Sequence, residues 1–231
     1  MNELMLSLKN VGVVYRSGLP IFRERNVHEA LKDISFDLHH GDSLGIIGRN
    51  GVGKSTLLRV LNGIITPDRG EFINYGCNTA LLSLTVGFDQ NVSGRHNAIF
   101  SGMLMGKSRR EMIAALPAII EFAELQEFID QPVKNYSTGM KQRLGFAVAT
   151  QVQTDVLLID EILSVGDARF KRKSEAVMRE KLLSGDTIVL VSHSAETIKA
   201  LCSKALWIEQ GVVRAAGDPG EVIREYQAVM A

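Results

Sequence analysis

No stretch of this 231-residue chain approaches the roughly 18 consecutive apolar residues that a membrane-spanning helix requires. The first ten residues, Met1 to Asn10, also lack the basic start and apolar run of a secretory leader; they alternate apolar and polar side chains, as a strand does. Cysteine is scarce. Cys77 and Cys202 stand far apart with no metal-ligand spacing, which points to reduced, unpaired thiols rather than a disulfide framework or a zinc site. A charge excess is missing too: 26 Lys plus Arg are matched by 26 Asp plus Glu, so the composition carries no basic footprint for nucleic acid. No internal repeat and no low-complexity tract interrupts the chain. These absences lead us to expect a cytosolic protein whose membrane role, if it has one, runs through a partner. With 45% apolar residues the chain can bury a full core, as one domain or as one α/β domain with a smaller insert.

Periodicity and punctuation predict strands over Leu4 to Val14 and Ala30 to Leu38, joined by a loop or loose hairpin from Arg16 to Glu29. A short apolar strand, Ser43 to Ile47, runs into a glycine-rich loop and a helix over Ser55 to Leu61, with Gly63 as its stop. A further strand is expected at Glu71 to Ile73. From about Val92 the pattern turns helical, over Asn97 to Met105, Arg109 to Phe128 and Lys141 to Thr150. The α/β alternation returns with a buried strand at Val156 to Ile159 and a helix over Phe170 to Leu183. A β-branched strand at Thr187 to Val191 and a helix at Glu196 to Cys202 follow. Ala205 to Glu209 and Val212 to Ala215 read as a hairpin across Gln210-Gly211, and a last helix starts at Glu221. The expected fold is α/β, a mainly parallel sheet with a helical insert near residues 88 to 150.

Two motifs carry chemistry. Gly48-Arg49-Asn50-Gly51-Val52-Gly53-Lys54-Ser55-Thr56 fits the phosphate-binding loop, with a strand before it and a helix after it. Small residues let backbone N–H groups wrap phosphates, and the helix N-terminus adds positive potential. Lys54 is expected to reach the β and γ phosphates of ATP, and Ser55 to ligate Mg²⁺. Val156 to Glu161 is an apolar strand ending in two carboxylates. Alone it reads equally as a strand ending in solvated acids. Paired with the phosphate loop, Asp160 becomes a candidate to hold Mg²⁺ through water and Glu161 a candidate to polarise the attacking water.

Between these motifs lies Tyr136-Ser137-Thr138-Gly139-Met140-Lys141-Gln142-Arg143, which resembles the signature motif of ABC transporter ATPases. Ser137 and Gly139 match; Thr138 and Met140 depart from the common Gly-Gly-Gln ending. The resemblance implies a P-loop NTPase core with an N-terminal antiparallel β part and a helical insert, one nucleotide-binding domain over residues 1–231. It implies that this segment binds the γ-phosphate held by a second copy, so that two copies sandwich ATP. A serine, an exposed glycine backbone and a helix N-terminus suit an anion. They suit an ordinary helix cap as well, and the two readings are compatible. By the same resemblance His193, after Val191-Ser192, is a switch histidine near the γ-phosphate, and Asp167 belongs to the aspartate loop that crosses the dimer interface. Tyr15 is the aromatic that stacks on adenine, although it also fits as a strand-end tyrosine.

The resemblance narrows to one subgroup. Phe88 to Asn97 with its Ser-Gly pair, the run Glu161 to Phe170, the form Tyr-Ser-x-Gly-Met and the long segment Arg16 to Glu29 look like ATPases that export lipopolysaccharide O-antigen, capsule or teichoic acid. The implied partners are a polytopic permease and a second ATPase subunit, with the chain peripheral on the cytoplasmic side of the cell (inner) membrane. Polysaccharide would be handled mainly by the permease. An ABC ATPase for a lipid or drug, or a soluble non-transport ABC ATPase, remains the alternative. Two departures stand out. The usual Gln-loop glutamine is missing near Ser83 or Leu84, Gln90 lying too late. Nor does a carbohydrate-binding β-sandwich follow before Ala231, so the chain is expected to be of the kind that does not read the glycan end itself. The apolar cluster Leu19, Pro20, Ile21 and Phe22 is expected to dock on the permease or substrate, or to cover its own domain.

Overall fold

Leu6 and Leu8, then Val11 and Val13, turn into the core from the first strand, β1 (Leu4–Ser17). Their parity changes because Leu8 pairs with Phe36 whereas Val11 pairs with Ile34. The extra residue is taken up between them, where Asn10 has a φ of 51°, as in a β-bulge. The computed structural model describes residues 3–17, 26–82, 87–151, 154–160, 167–183 and 185–230. β1 runs antiparallel to β2 (Asn26–His39). Both strands reach into the segment expected to be loop: Tyr15 pairs with His28 and Arg16 with Val27. Ladder pairing, rather than any apolar alternation of their own, holds these residues extended. The Leu19 to Phe22 cluster lies outside the described residues.

β3 (Ser43–Ile47) is buried at all five positions, as expected of a strand covered on both faces. Next come α1 (Lys54–Leu61), β4 (Arg69–Asn74), which pairs antiparallel with β1, and the short β5 (Thr79–Leu82). The sequence reading missed β5. Then follow α2 (Gly94–Leu104), α3 (Arg109–Ala123), a 3-10 turn at Val133–Asn135 and α4 (Thr138–Thr150). α3 stops at Ala123 rather than at the expected Phe128, because Glu124 takes a left-handed φ of 57° and Leu125 N donates back to Ile120 O. Leu125 and Ile129 remain buried with the helix, so the apolar spacing runs on after the helix has ended. The remaining elements are β6 (Val156–Asp160), α5 (Ala168–Leu183), β7 (Thr187–Val191), α6 (Ala195–Leu201), β8 (Lys204–Glu209), β9 (Val212–Gly217) and α7 (Pro219–Met230).

Among the described residues nine strands form one sheet in the order β4-β1-β2-β9-β8-β3-β7-β6-β5. β6, β7, β3 and β8 are mutually parallel neighbours. β8 and β9 form the expected hairpin, with Gln210 at φ 49° and Gly211 at φ 78°, the signs of a type I′ turn. Two compact units result: Met1–Leu81 with Asp155–Glu161 and Leu182–Ala231, and Leu82–Thr154 with Ile162–Lys181. In the first unit Leu57, Leu58 and Leu61 of α1 pack with Ile46, Leu158 and Val189 of the sheet. In the second, Ile99, Leu116, Ile119 and Leu144 share a separate core. Each such side chain contributes about 1.5–3 kcal/mol on full burial, which anchors the loop and helix starts described next.

Candidate functional site

The chain leaves β3 at Ile47 and enters α1 at Lys54, so residues 48–53 must turn the backbone within a short span. Gly53 makes this possible. It caps α1 with a φ of 103°, and a Cβ there would overlap the backbone oxygen of Ala30 on β2. The cap supplies no side-chain acceptor, and no acidic residue sits in the first turn. The first N–H groups of α1 therefore keep their positive potential for an external anion. Lys54 is buried, and its Nζ donates to Gly48 O and Arg49 O, each at 2.8 Å. Burial pushes the ammonium below its ordinary pKa, while the Asp160 and Glu209 carboxylates oppose the shift.

Parallel pairing brings the remaining groups of the first unit to the same end of the sheet. Asp160 closes β6 opposite Val191 of β7, and Ser192 N donates to Ile46 O at 3.2 Å. The ends of β6, β7 and β3 are thus adjacent, the position at which doubly wound sheets take ligands. A cleft of about 290 Å³ opens there. It is lined by Asn50, Gly51, Gly53, Lys54, Ser55 and Thr56 of the loop and α1, by Asp160 and His193, and by Tyr15 with His28 and Ala30 from the first two strands. Tyr15 Oη lies 3.3 Å from Thr56 Oγ1, and its ring remains partly exposed. Burial, and then the Lys54 cation, lower the His193 pKa against the pull of Asp160. That shift favours the neutral imidazole, in which one ring nitrogen is a donor and the other an acceptor.

Two helix starts in the second unit carry the other expected residues. Ser137 caps α4, its Oγ accepting from Met140 N at 3.2 Å. Next to it, a Cβ on Gly139 would meet nothing nearer than that Oγ, at 3.9 Å, so the Gly139 backbone is accessible. Asp167 caps α5, its Oδ1 accepting from Phe170 N at 2.9 Å and Arg169 N at 3.0 Å. The Phe170 bond does most to hold its carboxyl below the usual range. Ahead of Ser137, Tyr136 donates through Oη to Phe128 O at 2.7 Å. A side chain on Gly94 would overlap that hydroxyl. Glu161, and Ser83 and Leu84 at the expected Gln-loop position, lie outside the described residues.

Residues 31–164 match the sequence model of the family described as ABC transporter. The chain belongs to the ABC transporter family. Its relatives include the O-antigen export system ATP-binding protein RfbB of Myxococcus xanthus, 48% identical over 89% of this chain and 47% of the relative. The teichoic acids export ATP-binding protein TagH of Shouchella clausii is 43% identical over 86% of this chain and 55% of its own length. The chain thus spans about half the length of these curated relatives. Among solved ABC structures, a dimeric ATP-binding cassette in a post-hydrolysis state bound to ADP and Pi superposes with a TM-score of 0.78. It is 20% identical and covers 93% of this chain and 99% of its own. That likeness bears on the ABC fold alone.

Sequence reasoning missed two residues of the cleft, His28 and Ala30. Both lie on the part of β2 that faces the end of β1, with His28 registered against Tyr15. No alternation of their own marks them, because the register shifts between Leu31 and Glu29, and only pairing with β1 places them. Glu209 was missed as well. It ends β8 and acts on Lys54 through space, and no local motif marks it.

Proposed function

We propose that this chain is the ATP-hydrolysing subunit of an ABC transporter that powers export of lipid-linked polysaccharide across the cytoplasmic membrane. The observation that carries the reading is the convergence of Lys54, Ser55, Asp160, His193 and Tyr15 on one cleft at the start of a helix with no side-chain cap. Lys54 exchanges the Gly48 and Arg49 carbonyls for the β and γ phosphates of ATP, and the first N–H groups of α1 bind the same anion. Tyr15 packs against the base.

Ser55 and Asp160 line the cleft together, and a hydroxyl and a carboxylate are the hard oxygen donors that Mg²⁺ prefers. That ion needs only one or two protein ligands beside phosphates and water. When bound it neutralises charge on the phosphoryl oxygens. Glu161, the residue after Asp160 in the sequence, accepts the proton of the attacking water. His193 orients that water or the γ-phosphate through a neutral ring nitrogen. Ser137, Gly139 and Asp167 of one copy meet the nucleotide held by the other, so each ATP lies between two copies. A polytopic permease supplies the pathway, and the chain sits on its cytoplasmic side. Relatives named for O-antigen and teichoic acid export support the polysaccharide substrate.

Glu161→Gln tests the catalytic reading. ATP affinity is expected to survive while turnover falls roughly 10²-fold or more, the contribution of a general base. With Mg²⁺ and ATP this variant should form a dimer on size exclusion with light scattering. Near-normal turnover, or a monomer in every nucleotide state at high concentration, would refute it. Surface polysaccharide in a deletion strain complemented with Lys54→Ala tests the substrate: export that persists unchanged excludes it.

A further inference from the structure

Glu124 holds a backbone conformation that a glutamate does not favour. It closes α3 at φ 57°, where Gly or Asn normally stands. Its carboxylate faces three cations. Oε2 is 3.4 Å from Arg143 Nη1, while Oε1 is 3.6 Å from Arg169 Nη2 and 3.9 Å from Lys173 Nζ. Arg143 stands on α4, six residues after its cap Ser137; Arg169 and Lys173 stand on α5, just after its cap Asp167.

The same joint is packed by one aromatic ring from each helix. Phe122 of α3, Phe146 of α4 and Phe170 of α5 lie with ring centroids 5.6 to 5.9 Å apart. Lys173 Nζ donates to Phe122 O at 2.8 Å and sits 4.3 Å from the Phe122 ring centre. Bonds of this kind at a helix C-terminus satisfy its open carbonyls and its negative pole. The middle of α4 and the first turns of α5 are therefore both fastened to one point, the end of α3. The Phe170 and Arg169 N–H groups do most to hold the Asp167 carboxyl below its usual range, and the Arg143 charge adds to them.

We propose that Glu124 is a positioning residue that fixes the helix start bearing Ser137 and Gly139 relative to the one bearing Asp167, so that both reach the nucleotide of a second copy together. Glu124 itself touches no nucleotide. The inference rests on the ATP-sandwich reading above. It accounts for a charged residue at a position where glycine would relieve the backbone.

The test uses Glu161→Gln as the parent, with Glu124→Gly and Glu124→Gln added singly. Three quantities are read for each: affinity of the monomer for a fluorescent ATP analogue, the Mg-ATP-dependent dimer dissociation constant by sedimentation velocity, and the melting temperature. Glu124→Gly removes the carboxylate while easing the backbone, so it is expected to melt no lower than the parent. Both variants should bind nucleotide as the parent does and dimerise roughly tenfold or more weakly, a typical interaction size for charges in one network. The charge exchange Glu124→Lys with Arg143→Glu should recover part of the loss relative to Glu124→Lys alone. Parental dimerisation in Glu124→Gly overturns the proposal and leaves the sandwich intact. A parent that never dimerises removes the sandwich, and the proposal with it. A lowered melting temperature with parental dimerisation assigns Glu124 to folding alone and likewise overturns it.

Discussion

Tyr136 and Gly94 share one volume: the phenol stands where a side chain at position 94 would begin, with its Cζ only 2.9 Å from such a Cβ. From there the hydroxyl donates to Phe128 O at 2.7 Å and ties down the segment that leads into Ser137. Burial pushes the phenol up to about 12, so it stays a donor through the neutral range. The Ser93-Gly94 pair and the Tyr-Ser-x-Gly-Met run are therefore two sides of one contact.

Gly94→Ala is accordingly expected to lose about 1–3 kcal/mol, the usual cost of overpacking, although alanine is the better helix former. Tyr136→Phe should lose about 1 kcal/mol for its hydrogen bond. Combined, the two should cost less than their sum, because removing the hydroxyl frees room for the methyl. Urea unfolding of the four proteins measures this, and strict additivity would show that the two residues do not interact.

Tyr15→Ala should weaken ATP binding roughly tenfold, in line with stacking worth about 1–3 kcal/mol per base. Tyr15→Phe keeps the ring and loses only the 3.3 Å contact with Thr56 Oγ1, so its affinity should stay near the parent's. Titration with a fluorescent ATP analogue separates the two. Equal losses in both variants would make the hydroxyl, not the ring face, the binding element.

His193 should titrate below the ordinary histidine value of about 6.5, as its burial and the Lys54 cation require. Between the lowered folded pKa and the unfolded one, the unfolded chain binds the extra proton. Stability from this group is therefore intact above about 6.5 and is lost as pH falls through the folded value. Lys54→Met removes a cation and should move the midpoint up, whereas Asp160→Asn removes an anion and should move it down. NMR titration of the ring protons reads both directions, and shifts of the same sign would contradict the opposing effects of Lys54 and Asp160.

Lys54→Met should also separate stability from binding. Burial holds the ammonium below its ordinary pKa, so the charge costs folding free energy wherever it is protonated in both states. The methionine variant is expected to melt no lower than the parent without nucleotide, and to lose the rise in melting temperature that ATP gives the parent. A retained ATP-dependent rise would take Lys54 out of the phosphate site.

Elements that carry their own signal were legible in the sequence. β3 and β7 have the predicted bounds, Ser43–Ile47 and Thr187–Val191, because each is a short apolar run between polar or glycine-rich flanks. The glycine-rich loop between β3 and α1 was legible for the same reason: its residues are contiguous. What failed depends on partners distant in sequence. Val27 and His28 are strand only because β1 lies beside them. β5 is four residues long and only partly buried at three of them, too little for a pattern. The end of α3 was overrun because Glu124 is neither Gly nor Pro, while Leu125 and Ile129 continue the apolar spacing. Gly94 with Tyr136, and Glu124 with Arg143, are pairs whose meaning appears only once the chain is folded.

One joint of the nine-stranded sheet is thin. Between β2 and β9 the only registered pair among the described residues is Asp33 with Val212, supported by Gly211 O accepting from Lys32 N and Asp33 N. On one side of this joint lie β1 and Tyr15; on the other lie β3, the loop after it and Lys54. Few ladder bonds cross this joint, and the shared core of Leu31, Ile34, Ile46 and Leu57 makes the rest of the link. A nucleotide held as proposed, with its base on Tyr15 and its phosphates at Lys54, would act as a rivet across it.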